Sequence, residues 1–102
     1  MKPVILRPAA EADLADANGW YERQRAGLGA EFLRAATHAA NAISERPASY
    51  QILYRDVRRV PIRRFPFGLL YRAYPECVVV IACFHASRNP RVWRRRLELG
   101  DG

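Results

Sequence analysis

The chain has 102 residues, half of them hydrophobic, and a formal net charge of +7 at pH 7. That length holds one hydrophobic core and not two, so residues 1–102 are expected to form a single domain. The longest apolar run, Cys77 to Phe84, falls far short of the roughly 18 residues that cross a bilayer, and the apolar stretch near the N-terminus is too brief for a signal-peptide core; a cytoplasmic protein with no membrane partner is expected.

Charge becomes informative once it is divided by position. Residues 1–50 carry six basic and six acidic residues, whereas residues 51–102 carry eleven arginines against Asp56, Glu76, Glu98 and Asp101, so the whole excess lies in the second half. Such asymmetry favours an acidic or polyanionic partner at that end. The choice of sixteen arginines over one lysine also fits a GC-rich genome, which does not account for their clustering. Cys77 and Cys83, on one strand, would stand about 20 Å apart, too far for a disulfide. Both are expected as buried thiols. No further Cys or His sits at ligand spacing, so neither a metal nor a cofactor is expected.

In chain order, Val4 to Arg7 reads as a short first strand closed by Pro8. From Ala9 the apolar period becomes helical: Ala10, Leu14, Ala17 and Tyr21 share a stripe, with Glu11, Asp13 and Asp16 placed early, where the helix dipole favours negative charge. This helix is expected to run to about Gln24, and Gly19 within it suggests the close approach of another backbone. Gly27-Leu28-Gly29 breaks the pattern, and a second, alanine-rich helix carries Phe32, Ala35 or Ala36, Ala39 and Ile43 until Pro47 stops it. His38 on this helix is expected at the surface. The short connection makes the two helices an antiparallel hairpin.

Near residue 50 the apolar period drops to two. Tyr50 to Tyr54 is a possible extended piece. In the strand that follows, Val60 and Ile62 are expected on one face and Arg59 and Arg63 on the other, with Pro61 marking an edge or a bulge. Phe67 to Tyr74 and Cys77 to His85 read as two more strands around a turn at Tyr74-Pro75-Glu76. Arg91 to Leu99 is expected to form a short basic helix anchored by Trp93. The fold class that results is α+β: a helical hairpin on one face of a mainly antiparallel sheet in the order β-α-α-β-β-β, with a short C-terminal helix. Its expected core is Leu14, Tyr21, Phe32, Ile43, Ile62, Leu69, Val79 and Ile81, joined by the aromatics Trp20, Phe65, Phe67 and Tyr71.

Several pieces in this order carry a family resemblance. They are Ala12-Asp13-Leu14 and Trp20-Tyr21-Glu22, then Gly27-Leu28-Gly29-Ala30-Glu31-Phe32, then Val57-Arg58-Arg59, Arg63-Arg64-Phe65-Pro66-Phe67 and Tyr71. The closing piece is Val79-Val80-Ile81-Ala82-Cys83-Phe84-His85, followed by Arg88, Pro90 and Trp93. Together they resemble the RelE/ParE superfamily of type II toxin–antitoxin toxins, ParE most of all, across nearly the whole chain. The resemblance implies a small toxin that forms a hetero-oligomer with a cognate antitoxin, itself small, acidic and of the ribbon-helix-helix DNA-binding kind.

Two activities follow from that resemblance, with an inactive relative that only binds antitoxin as a third. A ParE-like protein would poison DNA gyrase by binding it, which requires only a shaped cationic surface; Arg88, Arg91, Trp93, Arg94, Arg95 and Arg96 are the candidate target-binding residues. A RelE-like protein would cleave messenger RNA on the ribosome without a metal. That chemistry needs a base, an acid and a cation over the developing phosphorane charge, and His85, Arg58, Arg64 and Arg88 are the candidates. The nuclease set departs from the family pattern: Lys2 is the sole lysine, no Tyr follows Arg96, and Ala86 stands where an aromatic neighbour of the histidine is expected. Binding is therefore the preferred reading.

Overall fold

The structure, a computed structural model, describes residues 1–98. Its elements are β1 (Val4–Leu6), α1 (Pro8–Gln24), α2 (Leu28–Glu45), β2 (Gln51–Tyr54), β3 (Val57–Pro61), β4 (Phe67–Ala73), β5 (Val78–His85) and α3 (Pro90–Glu98). Leu99, placed by the sequence in the last helix, lies outside the described residues.

The helical hairpin is held at its turn by a carboxylate. Gly27 takes φ 90°, a left-handed conformation that glycine adopts without a Cβ clash, and the chain reverses there. The first backbone N–H groups of a helix lack intrahelical acceptors. Glu22 of α1 supplies one, accepting from Gly27 at 3.0 Å and from Gly29 at 3.0 Å, and these two donors hold its carboxyl below the usual range. The close helix contact expected at Gly19 occurs instead at Gly29. A Cβ on Gly29 would stand 2.9 Å from both the Asn18 carbonyl and Glu22 Oε1, whereas one on Gly19 would meet only the far end of the Arg23 side chain.

Five strands form one sheet in the order β1-β5-β4-β3-β2. β1 runs parallel to β5, and the other pairs are antiparallel. The extended piece before the basic stretch is thus a true strand, β2, and it corrects the reading of Pro61. β3 is internal, paired on both sides, but β2 ends at Gln51 opposite Arg59. Pro61, two residues further, has no neighbour there to which an N–H would donate. Arg63 is also repositioned: it follows β3 in the turn closed by Phe65 N–H to the Ile62 carbonyl and lines a recess beside α2 rather than facing away from Ile62 on a strand.

A bulge sets which residues face which layer. Tyr71 pairs with Val80 and Leu70 with Ala82, so Ile81 is an extra residue and the alternation of β5 reverses across it. Val78, Val80 and Cys83 face the hairpin together with Leu69 and Tyr71. Ile81, Ala82 and Phe84 face the opposite layer with Val57, Leu70 and Leu97. The sheet therefore has two apolar faces where one was expected, and Ile81 belongs to the second, beneath α3.

Under the hairpin, Tyr21, Phe32, Phe65 and Phe67 form an aromatic cluster with ring centroids 4.9 to 6.1 Å apart. Each such edge or tilted pair adds about 0.5–1.5 kcal/mol beyond the area it buries. Trp20 is not part of it; the indole is 52% exposed and meets Tyr21 edge-on at the surface. Leu14 is half-buried against the core under the hairpin. Cys83 is buried, but Cys77 lies half-buried before β5, and both thiols are free.

Two outcomes test this packing. Gly29→Ala forces a methyl against the Asn18 carbonyl and is expected to cost about 1–3 kcal/mol, whereas Gly19→Ala should gain up to about 1 kcal/mol from helix propensity; urea melts of the two variants check the contrast. The second outcome concerns base. Burial pushes the Tyr71 phenol from 10.0 to about 12 and the Cys83 thiol from 9.0 to about 12. Both pKa values are raised in the folded chain, so the native state keeps protons that the unfolded state releases, and stability should fall as pH rises from about 9 towards 12. Thermal melts across that range should show the decline, with a shallower slope for Cys83→Ala.

Candidate functional site

α3 is a two-sided element. Leu97 is buried and Trp93 half-buried against the second apolar layer, while Arg91, Arg94 and Arg95 are exposed. These three arginines, with Val92 and Glu98, line an open recess of about 600 Å³ on the outer side of the helix. The basic side is joined to the sheet edge by aromatics. The Trp93 and Tyr54 rings meet edge-on at 5.8 Å, Arg94 lies 5.3 Å from both ring centres, Arg55 lies 5.0 Å from Tyr54, and the Tyr54 hydroxyl hydrogen-bonds Glu98 at 3.0 Å. Cations over aromatic faces contribute about 0.5–1 kcal/mol each at exposed sites. The result is a surface of fixed positive charge rather than a loose tail.

Arg96 behaves differently from its neighbours. It reaches across the side of β5 that β1 leaves open, since β1 pairs only with Val78 to Val80. There it donates to both carboxylate oxygens of Asp13, at 3.0 and 3.1 Å, and its guanidinium lies 4.8 Å from the Phe84 ring centre. Asp13 in turn accepts the backbone N–H of Cys83 at 3.0 Å. The pair is a forked, charge-assisted contact, with side chains 25% and 15% exposed. Asp13 is therefore not spent on the dipole of α1, whose first turn holds only Glu11; it ties α1, β5 and α3 together. Arg96, placed by sequence among the target-binding residues, is committed to the fold.

The proposed proton-transfer and charge-stabilising residues are dispersed. Arg58 faces the hairpin opposite Tyr71 and donates to the Tyr50 carbonyl at 2.7 Å. His85 pairs with Phe67, four residues along β4 from Tyr71, which places about 13 Å of strand and an intervening strand between it and Arg58. The His85 Nδ1 accepts the Ser87 N–H at 3.0 Å, which puts the proton of the neutral ring on Nε2, and the ring meets Phe67 edge-on at 5.2 Å. Arg88 sits on the other face, 4.8 Å from the Phe84 ring centre. Arg64, 73% exposed, reaches Glu31 of α2 at 3.8 Å. His85, Arg58 and Arg88 thus have separate local partners instead of converging on one point.

Three residues escaped the sequence reading: Asp13 as a tie, and Tyr54 and Arg55 as an extension of the α3 surface. Asp13 had a signal, an acid set between Ala10, Leu14 and Ala17 on the apolar stripe. The turn arginines carry another, visible only in the backbone. Arg55 and Arg64 are, among the described residues, the two non-glycine residues with positive φ, 54° and 71°, a conformation that costs a residue with a side chain about 1–2 kcal/mol.

Removing one end of the Asp13–Arg96 pair strands the other beside the sheet. Loss of one partner of a fully buried pair costs about 3–5 kcal/mol, and partial exposure lowers the expectation for Asp13→Ala or Arg96→Ala to about 2–3 kcal/mol. A double-mutant cycle read by urea melts should give strong coupling between the two, with faster amide exchange across residues 90–98 in each single variant.

Comparison with known proteins bears on this arrangement. Curated proteins yield no sequence match. In three dimensions the chain is similar to a chain of the chromosomal ParDE TA system from P. aeruginosa, with a TM-score of 0.74 at 15% identity, covering 83% of this chain and 96% of that one; a likeness at that identity speaks for the shared fold. The sequence matches a family described as the ParE toxin of the type II toxin–antitoxin system, parDE, over residues 4–90. The match takes in the strand, the helical hairpin, the remaining sheet and the turn leading to α3, and the chain belongs to the ParE toxin family of type II toxin–antitoxin systems.

Proposed function

We propose that the chain inhibits growth by binding DNA gyrase and poisoning it, and that a small acidic antitoxin of the ribbon-helix-helix kind neutralises it in a hetero-oligomer. The observation that carries the reading is the outer side of α3: Arg91, Arg94 and Arg95 are exposed and held in place by Trp93 and Leu97 beneath them. Arg88, over the Phe84 ring, adds an exposed cation two residues before the start of α3. A rigid cationic helix suits recognition of a large acidic target, because its side-chain charges are arranged before encounter and charge complementarity raises the association rate. The antitoxin would gain affinity from apolar anchors, with charge governing rate and salt dependence.

RelE-like cleavage of messenger RNA on the ribosome is the competing reading. It has support in His85, a partly exposed imidazole whose Nδ1 is fixed by Ser87, the side chain most often used in general acid–base catalysis. The dispersal of Arg58 and Arg88 weighs against it, since stabilisation of a phosphorane requires cations within hydrogen-bond reach of the charge.

A supercoiling assay with purified gyrase separates the two. Inhibition is expected from the unmodified chain and should be lost in Arg91→Glu/Arg94→Glu/Arg95→Glu, a variant that leaves Arg96 and its carboxylate partner intact and is expected to fold. His85→Ala should retain inhibition. If instead His85→Ala folds but loses toxicity, and the unmodified chain cuts transcripts on ribosomes, the expected loss being about 10²–10⁴ in rate, the nuclease reading replaces this one.

A further inference from the structure

We propose that the recess between α2 and the β3–β4 turn is a phosphate-binding site through which the chain contacts nucleic-acid backbone directly, separate from α3 and independent of the protein target proposed above. The recess has a volume of about 370 Å³ and is lined by Glu31, Arg34, Ala35, His38, Arg63 and Arg64. Three guanidinium groups and an imidazole face one carboxylate. That carboxylate is already engaged by Arg25 at 3.1 Å, and no carboxylate pairs with Arg34 or Arg63 among the described residues.

The backbone of the turn points the same way. The N–H of Phe65 bonds the Ile62 carbonyl at 3.1 Å, which makes Arg64 the third residue of a four-residue turn, and its φ is 71°. Glycine or asparagine is the ordinary occupant of that position. Arginine there strains the backbone, and strained positions cluster at ligand clamps and other functional sites. Arg55, the other such residue, has an intramolecular use in stacking on Tyr54. Arg64 has only a long contact with Glu31 at 3.8 Å from a side chain 73% exposed, a pair too weak to compensate the strain. Its guanidinium remains open to a ligand.

The chemistry of the lining selects the ligand. Acidic protein segments draw most of their affinity from apolar anchors seated in pockets, and Ala35 is the sole apolar side chain here. A ligand held by this recess must be held by charge density and by planar forks, which match phosphate oxygens in pairs. Phosphodiesters meet that requirement without apolar contact. The recess lies beside the helical hairpin, whereas α3 covers the opposite face of the sheet, so the two cationic surfaces are distinct.

The test uses the full chain and a fluorescein-labelled 20-base-pair duplex, followed by anisotropy over a range of salt. Arg64→Gly and Arg34→Ala should each weaken binding and flatten the slope of log K against log salt by about 0.9 for each phosphate no longer neutralised. Arg64→Gly should at the same time raise the melting temperature, because glycine relieves the turn; a residue retained for stability gives the opposite sign. Titration with inorganic pyrophosphate, read by NMR at the guanidinium groups of Arg34, Arg63 and Arg64, should shift all three if the recess takes phosphoryl oxygens, and no shift at any of them would overturn the proposal. Unchanged DNA affinity and salt slope in both variants would overturn the proposal. So would a lower melting temperature for Arg64→Gly, or tighter binding of a glutamate-rich peptide than of the duplex that disappears in the same variant.

Discussion

Beyond Leu6 the first strand leaves one side of β5 without a backbone neighbour, and the chain closes that side with the forked contact between Asp13 and Arg96. An open strand side inside a small domain exposes donors and acceptors that must be satisfied. Asp13 accepts the Cys83 N–H, and Arg96 joins the same carboxylate while covering Phe84. Three elements distant in sequence meet there: the first helix, the last strand and the last helix. The hairpin sits over one sheet face and α3 under the other because this contact joins them around the strand. The outward position of Arg91, Arg94 and Arg95 follows, since α3 is oriented by Arg96 and Leu97 on its inner side.

The bulge at Ile81 is the second determinant. Without it, β5 would keep a single alternation and Phe84 would share a face with Val78 and Val80. With it, one eight-residue strand serves both cores: Val78, Val80 and Cys83 pack under the hairpin, while Ile81, Ala82 and Phe84 pack over α3. A run of apolar residues on both faces is what a central strand requires, and it is why so short a chain supports two layers.

Much of this architecture was legible in the residues. The stripe from Ala10 to Tyr21, the alanine-rich face ending at Pro47, and the alternation after residue 50 carry the helices and strands by period alone. What was misread follows from facts that are not local. Gly19 and Gly29 look alike in the sequence, and only the crossing of the helices decides which one lacks room for a side chain. Pro61 indicated an edge, but its tolerance comes from β2 stopping short, a matter of register. Asp13 looked like a dipole residue because its partner is 83 positions away. The basic surface was visible as composition; its division into a committed arginine, an exposed helix face and a strained turn required coordinates.

The pairing of β1 with β5 has a consequence for the chain as it is made. Val4 lies beside Val78, so the parallel edge cannot form until residues 78–80 have left the ribosome, and the carboxylate of Asp13 waits longer still for Arg96. Until then the hairpin lacks β5, the strand against which α1 packs, and long loops must close before their contacts repay the entropy. Folding is thereby coupled to synthesis through Arg96. The basic face of α3 is assembled after the sheet, so a nascent chain that stops short of Arg96 cannot present it in its final form, and translation interrupted before that point leaves a sticky fragment for chaperones and proteases.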